Sequence, residues 1–222
     1  MFSIDTWNET NAKIAEAAEK AGRSPRDVQL IAVSKTKPVE EVKAALAAGQ
    51  LVFGENRVQE ALQKFPQLRD DNPNLELHLI GPLQTNKVKE VVANFDVVQT
   101  VDRPKLVTAL SKEMEKQERN LSCFIQVNTG GEIQKAGVEL NDLQQLFDHC
   151  MENTLKVEGL MCIPPVDDHP GPHFALLHKW TDRLNLKSLS MGMSSDFEIA
   201  VELGATHVRV GSALFGSRPP IT

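Results

Sequence analysis

Residues 28–53 read VQLIAVSKTKPVEEVKAALAAGQLVF, and this stretch sets the fold. The run over 28–34 is short and mostly aliphatic, as a strand covered on both faces requires. Pro38 suits a first helical turn, after which Val39, Val42 and Leu46 fall on one face of a helix over 39–48. A second short apolar run follows at 51–53. Strand, helix, strand in that order implies parallel pairing through a right-handed crossover.

The alternation continues along the chain. Further strands are predicted over 75–80, 97–101, 123–128, 156–163, 188–192 and 207–211. Helices are predicted near 57–69, 84–94, 104–119, 140–153, 172–185 and 196–203, with another near 5–21 before the first strand. Asp102 is placed to cap the helix that starts at Arg103. Eight such units fit a single (β/α)8 barrel with an extra N-terminal helix, one domain over 1–222. A doubly wound open sheet is the alternative, but no GxGxxG follows the first strand.

Composition narrows the function classes. Hydrophobic residues make up 41% of the 222, enough for one well-filled core. The net charge is −6 and no basic block stands out, which argues against nucleic-acid binding. No run of about 18 apolar residues is available for a membrane span. The opening residues lack a secretory pattern, and Cys123, Cys150 and Cys162 are widely spaced without a CxxC pair. They read as reduced thiols of a cytoplasmic protein. The histidines lack metal-ligand spacing, so no metal site is expected. His78, on an apolar strand, reads as a hydrogen-bonded core histidine, and Met161, Met191 and Met193 as core filler.

Lys35 stands where the first strand ends. In a barrel, strand carboxyl ends and the loops after them form the reactive face. A lysine there can form an imine with an aldehyde, which needs its neutral amine. At pH 7 only roughly one ordinary lysine in a few thousand is neutral, so partial burial or a nearby cation is required. A solvated lysine whose stem covers apolar surface is the competing reading. Lys37, Lys87 and Lys135 are weaker candidates: Lys37 belongs to the turn before Pro38, and the others lie past their strand ends.

The last two units suggest an anion site. Ser194 and Ser195 follow the seventh strand, while Gly211 and Ser212 follow the eighth, where barrels often bind phosphate. Simple helix capping by either serine is the alternative. Arg209, flanked by Val208 and Val210 in a strand covered on both faces, needs a partner. That partner is Glu198, Glu55, another carboxylate, or a ligand. Asn56 and Asn86 read as cap or early-helix residues, or as polar groups of a site; Gln126 and Asn128 read as internal hydrogen-bond partners.

Six ordered motifs carry a resemblance. They are Ala32-Val33-Ser34-Lys35, Phe53-Gly54-Glu55-Asn56, His78-Leu79-Ile80-Gly81-Pro82-Leu83-Gln84-Thr85-Asn86-Lys87, Gly159-Leu160-Met161, Ser190-Met191-Gly192-Met193-Ser194 and Val208-Arg209-Val210-Gly211. The chain resembles the pyridoxal-phosphate homeostasis proteins nearly end to end. The resemblance implies an alanine-racemase-like barrel holding pyridoxal 5′-phosphate (PLP) as an internal aldimine on Lys35. It implies Arg209 at the pyridine nitrogen, Asn56 beside the ring, and Ser194 with the backbone around Gly211 and Ser212 at the phosphate. It implies a role in vitamin B6 and amino-acid balance without established catalysis, with transient contact to PLP-requiring apoenzymes. Local departures occur at Asn128-Thr129-Gly130-Gly131-Glu132 and at Gly171-Pro172-His173, both read as loops.

The residues themselves favour a carrier over an enzyme. Related racemases use two bases, the cofactor lysine and a tyrosine from a second domain; this chain has no tyrosine. An arginine at the ring nitrogen is permanently charged and cannot accept its proton, which weakens the electron sink. With no shared site to complete, a monomer is expected. A PLP-dependent racemase or decarboxylase, or a cofactor-free lysine aldolase, are the alternatives.

Overall fold

The computed structural model describes residues 1–132 and 134–216, so the last six residues of the predicted domain lie outside the described residues. All eight predicted runs are strands: β1 Gln29–Val33, β2 Val52–Glu55, β3 Glu76–Leu79, β4 Val97–Val101, β5 Ser122–Asn128, β6 Lys156–Cys162, β7 Ser188–Met193 and β8 His207–Val210. Each pairs in parallel with its sequence neighbour, and β8 returns to pair with β1. The β4–β5 pairing completes the circle, which distinguishes the barrel from an open doubly wound sheet. A two-residue strand, Val138–Glu139, lies alongside β5 outside the barrel.

The helices are α1 Ile4–Lys20, α2 Val39–Ala47, α3 Val58–Asp71, α4 Val88–Asn94, α5 Pro104–Gln117, α6 Leu143–Glu152, α7 Pro170–Arg183, α8 Phe197–Glu202 and the short α9 Ser212–Phe215. Their apolar stripes face the strands: Val58, Ala61, Phe65 and Leu68 on α3, and Leu106, Val107, Leu110 and Met114 on α5, are buried. The extra helix α1 packs on α8 and α9.

Alternation along the strands sorts two interiors. Leu77, Leu79, Val98, Cys123, Ile125, Val208 and Val210 join the large core under the helices. Val97, Phe124 and Met161 form a separate cluster inside the barrel. His78, Gln99, Ser190 and Arg209 share that inward parity, and all four are buried.

Some local expectations are corrected. Asp102 does not cap α5; its carboxylate pairs with Arg103, which is itself the extended N-cap residue before Pro104. A side chain placed one residue earlier is out of register with the N2 and N3 amides. Gly171, Pro172 and His173 form the first turn of α7 instead of a loop. Prolines 170 and 172 are tolerated there because first-turn amides lack intrahelical partners, and His169 Nδ1 accepts from Gly171 N at 3.2 Å. Neither Ser194 nor Ser195 caps α8. Asp196 is the N-cap residue, and its Oδ1 accepts from Met193 N at 2.6 Å.

Candidate active site at the carboxyl ends of four strands

β2, β1, β8 and β7 are consecutive around the barrel. Their register aligns Val33 with Gly54, Ala32 with Val210, and Met193 with Arg209, so the segments after them converge. They enclose a cavity of about 370 Å³. Lys35, Asn56, Ser194, Arg209, Gly211 and Ser212, the six residues that the family resemblance implied for the cofactor, border it. Thr36, Lys37, Ile80, Ile163 and Ser195 border it as well. Lys87 and Lys135 do not; Lys87 pairs with Glu90 at 3.2 Å and Lys135 with Glu132 at 2.6 Å. The cavity is electrically one-sided. Lys35, Lys37 and Arg209 line it, and no carboxylate appears among its described lining residues, in a chain whose net charge is −6.

Lys35 sits in a four-residue turn over residues 34–37, closed by Lys37 N donating to Ser34 O at 3.1 Å. Thr36 occupies the third position at φ +63°, a left-handed conformation that a β-branched residue adopts only at a cost of about 1–3 kcal/mol. Side chains of β2 and α3 compensate. Lys64 Nζ donates to Ser34 O at 2.8 Å and Lys37 O at 3.2 Å, and pairs with Glu60 at 2.7 Å and Glu55 at 2.6 Å. Glu60 also accepts from Thr36 N, and Glu55 Oε1 accepts from Ser34 Oγ at 2.7 Å. Burial pushes the Glu55 carboxyl pKa up, and Lys64 opposes the shift. Sequence reasoning missed this network. Its one signal was a lysine at 64 on the same face as Ala61, Phe65 and Leu68.

Arg209 has no carboxylate partner within ion-pairing distance among the described residues, so neither Glu198 nor Glu55 fills that role. Its Nη1 donates to Ser190 Oγ at 2.6 Å and its Nη2 to Cys162 O at 2.8 Å. Ser190 Oγ donates on to Gln99 Oε1 at 2.6 Å. Gln99 Nε2 meets His78 Nδ1 at 2.8 Å, and His78 Nε2 meets Glu76 Oε1 at 2.6 Å. Each link from Arg209 to Glu76 pairs a donor with an acceptor if His78 carries its proton on Nε2. This chain crosses the barrel interior and orients the guanidinium from behind. Burial pushes the Arg209 pKa down, and the field of Asp196 is among the influences that oppose it.

The remaining lining groups are polar and close to backbone. Ser194 Oγ accepts from Gly211 N at 3.3 Å, tying the seventh and eighth strand ends together. Gly192 at φ +90° makes the irregularity in the β7–β8 pairing that swings Met193 and Ser194 to the cavity; a Cβ there would stand 2.5 Å from Ala200 Cβ. Asn56 is no helix cap, since Arg57 holds that position; among the described residues its buried Oδ1 has no hydrogen-bond partner. Gly81 packs directly on the Asn56 main chain. His78 is the hydrogen-bonded core residue expected, and Gln126 and Asn128 bind loop carbonyls at 3.2 and 2.9 Å. Burial raises all three thiol pKa values, those of Cys150 and Cys162 to about 12, which fits inert core cysteines.

The family described as alanine racemase, N-terminal domain, matches residues 9–219. The pyridoxal phosphate homeostasis protein of Aquifex aeolicus (strain VF5) is 43% identical over 216 residues, covering 93% of this chain and 94% of the relative. This chain belongs to the pyridoxal phosphate homeostasis protein family. The family member of Pseudomonas aeruginosa is 45% identical over 213 residues, covering 93% of this chain and 92% of that protein. Among solved structures, PipY of Synechococcus elongatus PCC7942, solved with PLP bound, superposes with a TM-score of 0.79 at 38% identity, covering 91% of this chain and all of PipY. An alanine racemase of Clostridium difficile 630 shares the fold, with a TM-score of 0.74 at 14% identity. The homeostasis-family chain spans 58% of that racemase's length.

Proposed function

We propose that this chain holds PLP covalently on Lys35 and serves intracellular cofactor homeostasis, without acting as a dedicated enzyme. One observation carries the reading: a strand-end lysine borders a cavity whose described charged lining residues are all cationic, with hydroxyl and main-chain groups on the adjoining loops. An aldehyde that also bears a phosphate suits that combination. Lys35 would hold such an aldehyde through its amine, with the aldehyde oxygen released as water. Ser194, with the backbone of Gly211 and Ser212, would hold the phosphate. Arg209 would donate to the ring nitrogen, and the buried Oδ1 of Asn56, which meets no donor among the described residues, would meet one beside the ring. The family's name and the PLP in PipY support the same cofactor.

When bound, PLP supplies an electrophilic carbon and, in enzymes, a conjugated electron sink. This chain's residues restrain the second role. A guanidinium only donates, so Arg209 favours an unprotonated ring nitrogen. No tyrosine is present to act as a second base. A single domain over 1–222 functioning as a cytoplasmic monomer, which delivers PLP by transient contact with apoenzymes, completes the reading. Among the described residues, no helix is long and apolar enough to cross a membrane.

Borohydride reduction of the PLP-treated protein followed by peptide mapping should place the label on Lys35. Lys35→Ala should abolish that label and the visible absorbance; unchanged labelling elsewhere would overturn the assignment. Substrate-dependent exchange of α-protons, surveyed over all amino acids, should stay at background.

A further inference from the structure

The turn that presents Lys35 is not stable on its own terms. Its third position calls for glycine, yet Thr36 stands there at φ +63°. What holds it comes from another element. Lys64 is only 8% exposed, and its ammonium lies against the carbonyls of Ser34 and Lys37, the first and last residues of the turn. Glu60, one helical turn before Lys64, takes the Thr36 amide itself. Glu55 completes the clamp by binding both Lys64 and the Ser34 hydroxyl. Lys64 and Glu60 therefore hold the main chain on both sides of Lys35 while Glu55 braces Lys64 and the Ser34 side chain, and none of the three borders the cavity among its described lining residues.

We propose that Lys64, with Glu60 and Glu55, is a positioning residue for Lys35: it holds the strained turn in the conformation that aims the amine into the cavity. This rests on covalent PLP attachment at Lys35. The groups assigned to phosphate and ring lie on β2, β7 and β8 and the segments that follow them, so loosening the turn leaves them in place. Covalent capture then depends on the clamp, while non-covalent binding of the same ring and phosphate does not. Apparent affinity falls in proportion to the fraction of molecules in the competent conformation.

The test compares two ligands on the full chain. One is PLP. The other is 4′-deoxypyridoxine 5′-phosphate, which carries a methyl group in place of the aldehyde and cannot react with an amine. In Glu60→Leu, the milder variant because Glu60 lies near the surface, PLP affinity and borohydride labelling of Lys35 should fall about tenfold, equivalent to ~1.4 kcal/mol. Affinity for the deoxy analogue should stay within twofold. Lys64→Met should fall further in the first readout and match in the second, and Glu60→Gln, which keeps an acceptor for the Thr36 amide, should recover much of the loss. Equal weakening of both ligands, or no change in either, overturns the proposal. A wild-type protein unlabelled at Lys35 overturns the functional reading itself, so the two failures are distinguishable.

Discussion

Gly81→Ala offers a sharp test of how the site is built, because residue 81 sits on a different strand end from any group proposed to touch the ligand. A Cβ at position 81 would lie 2.2 Å from Asn56 O, 2.7 Å from its Cα and 2.8 Å from its carbonyl carbon, where ordinary contact begins near 3.4 Å. The neighbours are main-chain atoms, so no rotamer change relieves the overlap. The Asn56 backbone has to retreat by about 1.2 Å, carrying Oδ1 away from the ring it would meet. Overpacking of this kind costs about 1–3 kcal/mol. For a domain of this size, each kcal/mol lowers Tm by about 2–4 °C, so a fall of roughly 2–12 °C is expected by calorimetry. Losing the Asn56 contact should raise the PLP Kd about fivefold, as the loss of ~1 kcal/mol of hydrogen bonding implies. Gly22→Ala is the control. It has nothing within 4 Å of its Cβ but a φ of +69°, so it should lose stability without changing affinity. If Gly81→Ala binds PLP as the wild type does, the claim that this close approach places Asn56 is wrong.

Other outcomes follow from the same geometry. Arg209→Met should weaken PLP at least tenfold in absorbance titrations while moving Tm little, because a buried cation with no ionic partner among the described residues contributes poorly to stability; undiminished affinity would remove Arg209 from the site. His207 sits at the opposite end of the barrel, and burial together with the field of His78 lowers its pKa to about 4 from the ordinary 6.5. The unfolded chain therefore binds the proton first. His207's contribution is intact above pH 6.5 and is lost as pH falls toward 4, by at most ~3 kcal/mol. Urea midpoints at pH 7.5, 5.5 and 4.5 should show this decline, and His207→Gln should flatten it; an unchanged slope would contradict the assignment.

The sequence by itself determined the barrel and the residues around its mouth. Strand alternation, helical stripes and turn chemistry are local signals, and eight repeats of them leave few ways to bury both faces of every strand. Local position also placed Lys35, Asn56, Ser194, Arg209, Gly211 and Ser212 after or within strands, and a parallel barrel brings strand carboxyl ends together. What only the tertiary structure decided is how those residues are held. Arg209 reaches Cys162 and Ser190 rather than a carboxylate, and Lys64 binds the Lys35 turn from 27 to 30 residues away. Among the described residues Asn56 Oδ1 meets no donor, and Gly81 packs against the Asn56 main chain. Such contacts arise from strand register and barrel closure, which bring residues far apart in the chain within hydrogen-bonding distance. No periodicity encodes which polar atom will meet which.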